Sequence, residues 1–386
     1  MTFSVRPSRI LGMLLMCAVC TMAATKPHYV MTNDDVPANL PSSVTFYTIH
    51  PDGTLTKKAK VGTGGNGAAA GYFGTQRVTV LNDGSNECVY ASNAESGDIV
   101  GISVTALRRE GLARASKTDN GIANGIGLAM STGYLYAGFT GSSTIGTFQL
   151  VAGCKLTYVS SISAVGLEGG TVDGMAVNGS ILVVTYGDGS IQSFDISAGV
   201  PVSNGDEQNS TASSGANWPS QVDITQDGHF AIFGDTSTAT VVEVSDISSG
   251  KLTPTVVYKL GHDQSSANIW LSPDESLLYV ANTQGGEVEA AFFDKTTGAV
   301  SKGCVSKVLR GFANKWAYLA TLATDTTTGT GNVVYVAEYG APGLIGVVDV
   351  TVNGSECTLT EATKSPVTDI TSPGLLSIGV YPPRPF

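Results

Sequence analysis

Charged side chains are scarce in this 386-residue chain: Asp, Glu, Lys and Arg together make up 14% of it, where about 25% is usual. Long exposed helices need many Lys, Glu and Arg to cover their polar faces, so a mainly helical protein is excluded. Cations are the scarcer sign, 21 Lys plus Arg against 32 Asp plus Glu. The net charge of −11 offers nucleic acid and anionic membranes no attraction. Histidine occurs four times and cysteine six. No Gly-x-Ser-x-Gly elbow is present, which removes the usual serine hydrolase signature.

Beyond residue 24 no apolar run is long enough to cross a bilayer, so no membrane span is expected. Residues 1–24 carry Arg6 and Arg9, then an apolar run from Ile10 to Val19, then the small-residue stretch Thr21-Met-Ala-Ala24. This order is that of a secretory signal peptide, and it predicts a secreted or extracellular protein, periplasmic in a bacterium. Its removal takes away two positive charges and leaves residues 25–386 more acidic, as one expected domain. Cys17 and Cys20 leave with it. Cys88, Cys154, Cys304 and Cys357 remain, an even number that in an exported chain predicts two disulfides. No two of the four are close enough for a zinc knuckle, and no metal or cofactor is expected. The sequons at Asn178, Asn209 and Asn353 are glycosylation sites in a eukaryotic source.

What the chain has in quantity is glycine, 47 residues, together with 42% apolar residues. Short strands joined by many turns, around a large core, are expected from that mixture. An internal repeat with a period of about fifty residues then organises them. Its clearest copy runs Ile269-Trp-Leu-Ser-Pro-Asp-Glu-Ser-Leu-Leu-Tyr-Val-Ala-Asn282, then Glu287-Val-Glu-Ala-Ala-Phe-Phe-Asp294 and the turn Lys295-Thr-Thr-Gly298. Further copies fall at His28-Tyr29, Val89-Tyr90, Leu135-Tyr136, Leu182-Val183, Ala231-Ile232 and Val334-Tyr335. Period-two alternation, as in Ser193-Phe-Asp-Ile196, marks each run as a strand.

Seven such copies predict an all-β fold, a seven-bladed β-propeller of four-stranded antiparallel blades. The first copy starts at His28 without an inner strand of its own, and Gly374-Leu-Leu-Ser-Ile-Gly-Val-Tyr381 is a spare alternating strand at the other end. A C-terminal strand completing the first blade is therefore expected to close the ring and hide its two edges. The propeller layout puts Cys88 in the first-to-second-strand turn of blade two and Cys154 in the third-to-fourth-strand turn of blade three, on one face of adjacent blades, and Cys304 and Cys357 in the third-to-fourth-strand turns of blades six and seven. Cys88–Cys154 and Cys304–Cys357 are the expected pairs.

The segment Leu271-Ser-Pro-Asp-Glu-Ser-Leu-Leu-Tyr-Val-Ala-Asn282, followed by Phe293-Asp-Lys-Thr-Thr-Gly298, resembles the seven-bladed lactonase family, which includes bacterial 6-phosphogluconolactonases and fungal carboxy-cis,cis-muconate cyclases. Val44-Thr-Phe-Tyr-Thr-Ile-His-Pro-Asp-Gly-Thr-Leu55 repeats the second half of the motif, and the resemblance spans nearly the whole chain after the leader. It implies action on a small lactone or cyclisable carboxylate at the central channel, by a lactonase or muconate-cyclase type of enzyme using His, Arg and acidic residues. Family members commonly place an Arg after the Tyr-Val-Ala-Asn strand, whereas Thr283 follows Asn282 here. The alternative is a non-catalytic propeller exported for adhesion, ligand capture or protein interaction. The expected partner is a small molecule or a surface, and the expected state a monomer.

Candidate site residues follow from the channel geometry of a propeller. Arg77 ends the Gly-rich segment that starts at Gly62, where backbone N–H groups could cradle an anion and the guanidinium hold a carboxylate. His262, beside Asp263, precedes the inner strand of blade six and could serve as a base near neutral pH. His262, Arg77 and Glu338 form the catalytic expectation. Asp173, Asn268 and Lys315 sit at channel ends of strands, where a carbonyl could be polarised. Trp270 and Trp316, with Trp218, could stack on a ring or pack in the core. His50-Pro-Asp-Gly53 reads as a hairpin turn.

Overall fold

The protein is described by a computed structural model covering residues 28–34, 40–67, 76–82, 87–114, 126–210, 219–235, 241–259, 268–282, 285–312, 319–324, 333–338, 343–369 and 375–383. Among these residues every regular element is a strand, and all strand pairs are antiparallel. The strands make seven sheets. Each begins at the channel with an inner strand: Val78–Asn82, Ile126–Met130, Val172–Asn178, Pro219–Ile224, Asn268–Leu271 and Leu319–Thr324 in blades two to seven. The inner strand of blade one is Leu375–Tyr381, paired with Tyr29–Asp34. The ring is closed as the sequence predicts.

Alternation decides what each blade buries. In the second strand of blade six, Leu277–Asn282, every residue is buried, because its two faces pack on the neighbouring blades. Tyr279 faces a cluster shared with Val334, Val336 and Leu344 of blade seven, while Leu278 and Val280 face one shared with Ile232 and Val244 of blade five. The core therefore consists of layers between blades. Tyrosines of the repeat also tether blades by hydrogen bonds: Tyr136 Oη donates to the Gly199 carbonyl (2.9 Å) and Tyr335 Oη to the Gly53 carbonyl (3.0 Å). Gly53 ends the His50-Pro-Asp-Gly53 hairpin at φ +74°, and a Cβ there would lie 3.0 Å from Val333.

The turns are built by aspartates. After the third strands of blades four, five and six, the Oδ1 atoms of Asp195, Asp246 and Asp294 accept the backbone N–H of Ser197, Ser248 and Thr296 at 2.8, 2.8 and 2.9 Å. Glycines 199, 250 and 298 end these turns at positive φ, which costs a residue without Cβ nothing. In the Ser-Pro-Asp turn, Asp274 accepts from Ser272 Oγ (2.6 Å) and from the Ser276 N–H (3.1 Å). The most family-like segment of the sequence is thus largely turn chemistry.

Two features differ from four uniform strands per blade. In blade four the outer edge is split into Val202–Ser203 and Gln208–Asn209, and in blade seven into Glu356–Glu361 and Val367–Asp369. In blade seven the break contains Pro366, which has no N–H to donate to the ladder, and the Val347 N–H donates to Ser365 Oγ (3.0 Å). The cysteines pair as expected, Cys88 with Cys154 and Cys304 with Cys357. Placement is corrected for three of them: Cys88 lies in the second strand of blade two, and Cys304 and Cys357 in outer strands rather than turns. Each bridge joins adjacent blades, two to three and six to seven.

Two outcomes follow. Truncation after Ser372 removes the buried side chains of Ile378, Val380 and Tyr381, each worth about 1.5–3 kcal/mol. That loss rivals a whole domain's stability of about 5–15 kcal/mol, so the truncated chain should show no cooperative thermal transition by circular dichroism. The bridges close loops of 66 and 53 residues in sequence separation. Replacing either pair by Ser should cost up to about 4 kcal/mol in denaturant titrations.

Candidate functional site: the mouth of the central channel

The inner strands of successive blades lie side by side around one axis, so their first residues converge at one end of the channel. Four of them are irregular at this same level. Pairing registers skip a residue at Leu376 in blade one and at Asp173 in blade four, and two residues oppose one between Pro219 and Val222 in blade five and between Leu319 and Leu322 in blade seven. A β-bulge turns a residue out of the regular alternation and re-aims its side chain. The mouth is where the ladder is relaxed.

Polar residues collect there, all of them buried. Asn268 pairs with Ala281, and Arg77 occupies the matching position in blade two, where its carbonyl accepts the Ser92 N–H (3.0 Å). The Arg77 N–H donates to Ser377 Oγ of blade one at 3.0 Å. Glu338 ends the second strand of blade seven opposite Leu319 and is fully buried. Arg77 and Asn268 are each 2% exposed and Asp173 6%. Gln221, which the sequence reading did not single out, is 2% exposed on the bulge of blade five, and neither of its amide atoms has a hydrogen-bond partner among the described residues.

Asp173 is the outlier in charge. No hydrogen-bond donor reaches its carboxyl among the described residues, and burial pushes its pKa well above the usual carboxylate range. Burial raises the pKa of Asp34 too, but there the shift is opposed: Thr45 and Ser43 donate to its Oδ2 at 2.6 and 2.7 Å, Lys60 lies 3.4 Å away, and Thr32 donates to its Oδ1 at 3.0 Å. That carboxyl is held in place by its own blade, whereas Asp173 has no such donors among the described residues.

Below the mouth runs a cavity of about 80 Å³. At one level of its wall stand Trp270, Thr79, Ala129, Ala176 and Asp223, one from each of five inner strands, each opposite the equivalent residue of the second strand, and Val380 of blade one also lines the cavity. Trp270 is half-buried, packs against the core between blades six and seven, and has its indole Nε1 buried without an acceptor among the described residues. The Asp223 carboxylate is anchored by the N–H groups of Ile224 (2.9 Å) and Leu271 (3.0 Å).

The structure thus places Arg77, Asp173, Asn268 and Glu338 at one end of the channel and Trp270 on its wall. His262, Lys315, Trp316 and Trp218 lie outside the described residues. Gln221 and Asp223 were missed, although an acidic residue inside the apolar run Gln221-Val-Asp-Ile224 was a visible signal. Among the sequons, Asn209 and Asn353 are exposed, while the Asn178 amide donates to the carbonyls of Thr225 (2.5 Å) and Gln226 (3.0 Å). No group of His, Cys, Asp and Glu able to hold a metal occurs among the described residues, nor a helix long and apolar enough to cross a membrane.

A ring of seven blades with polar groups gathered at one mouth defines a β-propeller with a ligand-sized channel. Residues 88–369 match the family model described as lactonase, 7-bladed beta-propeller, and the chain belongs to that family. In structure it is similar to a candidate 6-phosphogluconolactonase from Bacteroides fragilis, at 14% identity and TM-score 0.68 over 93% of this chain and 99% of that one. A protein from Lactobacillus plantarum matches at 14% identity and TM-score 0.65 over 92% and 99%. A candidate 6-phosphogluconolactonase from Bacteroides uniformis matches at 12% identity and TM-score 0.62 over 92% and 100%. At these identities the likeness bears on the fold. Among proteins of curated function none matches the chain by sequence.

The raised Asp173 has a sign that can be tested. An unfolded Asp ionises near pH 3.9, while the folded one holds its proton to higher pH, so the wild type loses stability as pH rises from about 4 through the folded pKa. Asp173→Asn should therefore raise the melting temperature at neutral pH, and the gain should vanish below about pH 4. A variant no more stable than wild type at pH 7 would show the carboxyl to be compensated.

Proposed function

We propose that this chain is an exported lactonase-like enzyme that opens a small lactone at the mouth of its channel. The single observation that carries the reading is the buried Asp173 carboxyl, turned out of the ladder by a bulge at the level of Arg77 and Asn268. Membership of the lactonase family supports the reaction class, and two disulfides behind a signal-like leader support export to an oxidising compartment.

In this reading Asp173 takes a proton from water as the water oxygen bonds to the lactone carbonyl carbon. The Arg77 guanidinium and the Asn268 amide steady the oxyanion that forms. The ring C–O bond then breaks, the proton held by Asp173 passes to the departing alkoxide, and a hydroxy acid leaves. Lactone and water are the only reactants. A carboxyl whose pKa lies above the usual range is suited to both halves of that exchange. Glu338 supplies the second buried carboxyl of the mouth, and His262 is the alternative base.

A panel of five- and six-membered lactones, followed by proton release, tests this. Asp173→Asn and Arg77→Gln should each lower kcat by about 10²-fold or more, while His262→Ala should leave most of it. Loss in His262→Ala with activity kept in Asp173→Asn would move the base to His262. Absence of turnover across the panel would leave a binding propeller in place of an enzyme.

A further inference from the structure

The cavity beneath the mouth differs in chemistry from the mouth itself. Its lining residues follow those of the mouth by one or two positions on the same strands: Val78 after Arg77, Met175 after Asp173, Val222 after Gln221 and Trp270 after Asn268. The walls are mainly aliphatic and thioether side chains. Among the described residues that line the cavity none is Lys, Arg or His, and the one charged residue, Asp223, is acidic. A volume of about 80 Å³ gives room for several waters or for a short aliphatic segment.

We infer that the channel beneath the mouth is a pocket for an uncharged aliphatic substituent, so that the substrate class is a neutral lactone bearing a short alkyl chain. The inference rests on the lactonase reading for the reactive end and on the cavity alone for the tail. With the lactone ring at Arg77 and Asp173, a substituent on the ring carbon lies along Met175, Val222 and Trp270. The indole N–H of Trp270 is left a donor for a carbonyl or ether oxygen on that chain. A phosphate or carboxylate on the same chain would meet the Asp223 carboxylate with no cation among the described wall residues to offset its desolvation. Burying each methylene should raise kcat/KM about fourfold, the equivalent of ~0.8 kcal/mol.

The test compares three lactones on the full-length protein: unsubstituted, butyl-substituted, and substituted with an equally long chain ending in a carboxylate. The butyl lactone should exceed the other two in kcat/KM by at least tenfold, the gain appearing in KM. Ala176→Trp, which adds an indole to the cavity wall at the level of Trp270, should bring the butyl-to-unsubstituted ratio close to one. Calorimetry with the matching butyl lactam provides a readout independent of turnover, with binding expected in wild type and weakened at least tenfold in Ala176→Trp. Butyl-lactam binding without lactone hydrolysis would sink the reaction and keep the pocket. Hydrolysis with no gain from the butyl chain, or with the carboxylated lactone preferred, would overturn the pocket and keep the reaction. If Ala176→Trp does not fold, the wild-type lactone ratios and lactam affinity decide alone.

Discussion

Seven sheets must meet around one axis, and a single strand from the far end of the chain makes that possible. The pairing of Leu375–Tyr381 with Tyr29–Asp34 turns an open row of blades into a ring. An open row would expose two sheet edges and leave the apolar faces of its end blades in water. With the ring closed, every blade has two neighbours, and the buried second strands gain packing on both sides. The channel and its mouth exist only as the hole that closure leaves. Function in this fold is thus conditional on one long-range pairing, which also makes folding depend on contacts distant in sequence.

Much of the fold was legible because a propeller writes its pattern seven times. Tyr90, Tyr136, Tyr279 and Tyr335 recur at one position of the second strand, and aspartate-initiated turns ending in glycine recur between third and fourth strands. Each such feature is local and periodic, which is what sequence patterns can carry. The split outer edges of blades four and seven were not legible, since an edge strand has one neighbour and its interruption leaves the alternation of the others intact. The position of Cys357 was misjudged for a related reason: it is the second residue of its outer strand, within the usual uncertainty of element ends, whereas Cys304 lies near the far end of its strand.

The mouth was half legible. Arg77, Asp173, Asn268 and Glu338 could be placed at channel ends by counting along strands, because register in a blade is set by its turns. What counting could not supply is the bulge, which is a property of two strands together. Asp173 consequently looked like one polar residue among several, while its desolvation sets it apart. Gln221 escaped notice because an amide carries no motif, and its peculiarity lies in being buried without partners among the described residues.

The bulges at the mouth bear on how such a protein can change. An extra residue absorbed at the start of an inner strand leaves the alternation below it in step, so the residues packed between blades keep their faces whatever occupies the bulge. Blades one, four, five and seven are free in this way to vary a side chain at the rim without repacking their interiors. The packing between blades is thereby insulated from the identity of the bulged rim residue. A substitution at such a rim position therefore needs no compensating change in the layers between blades.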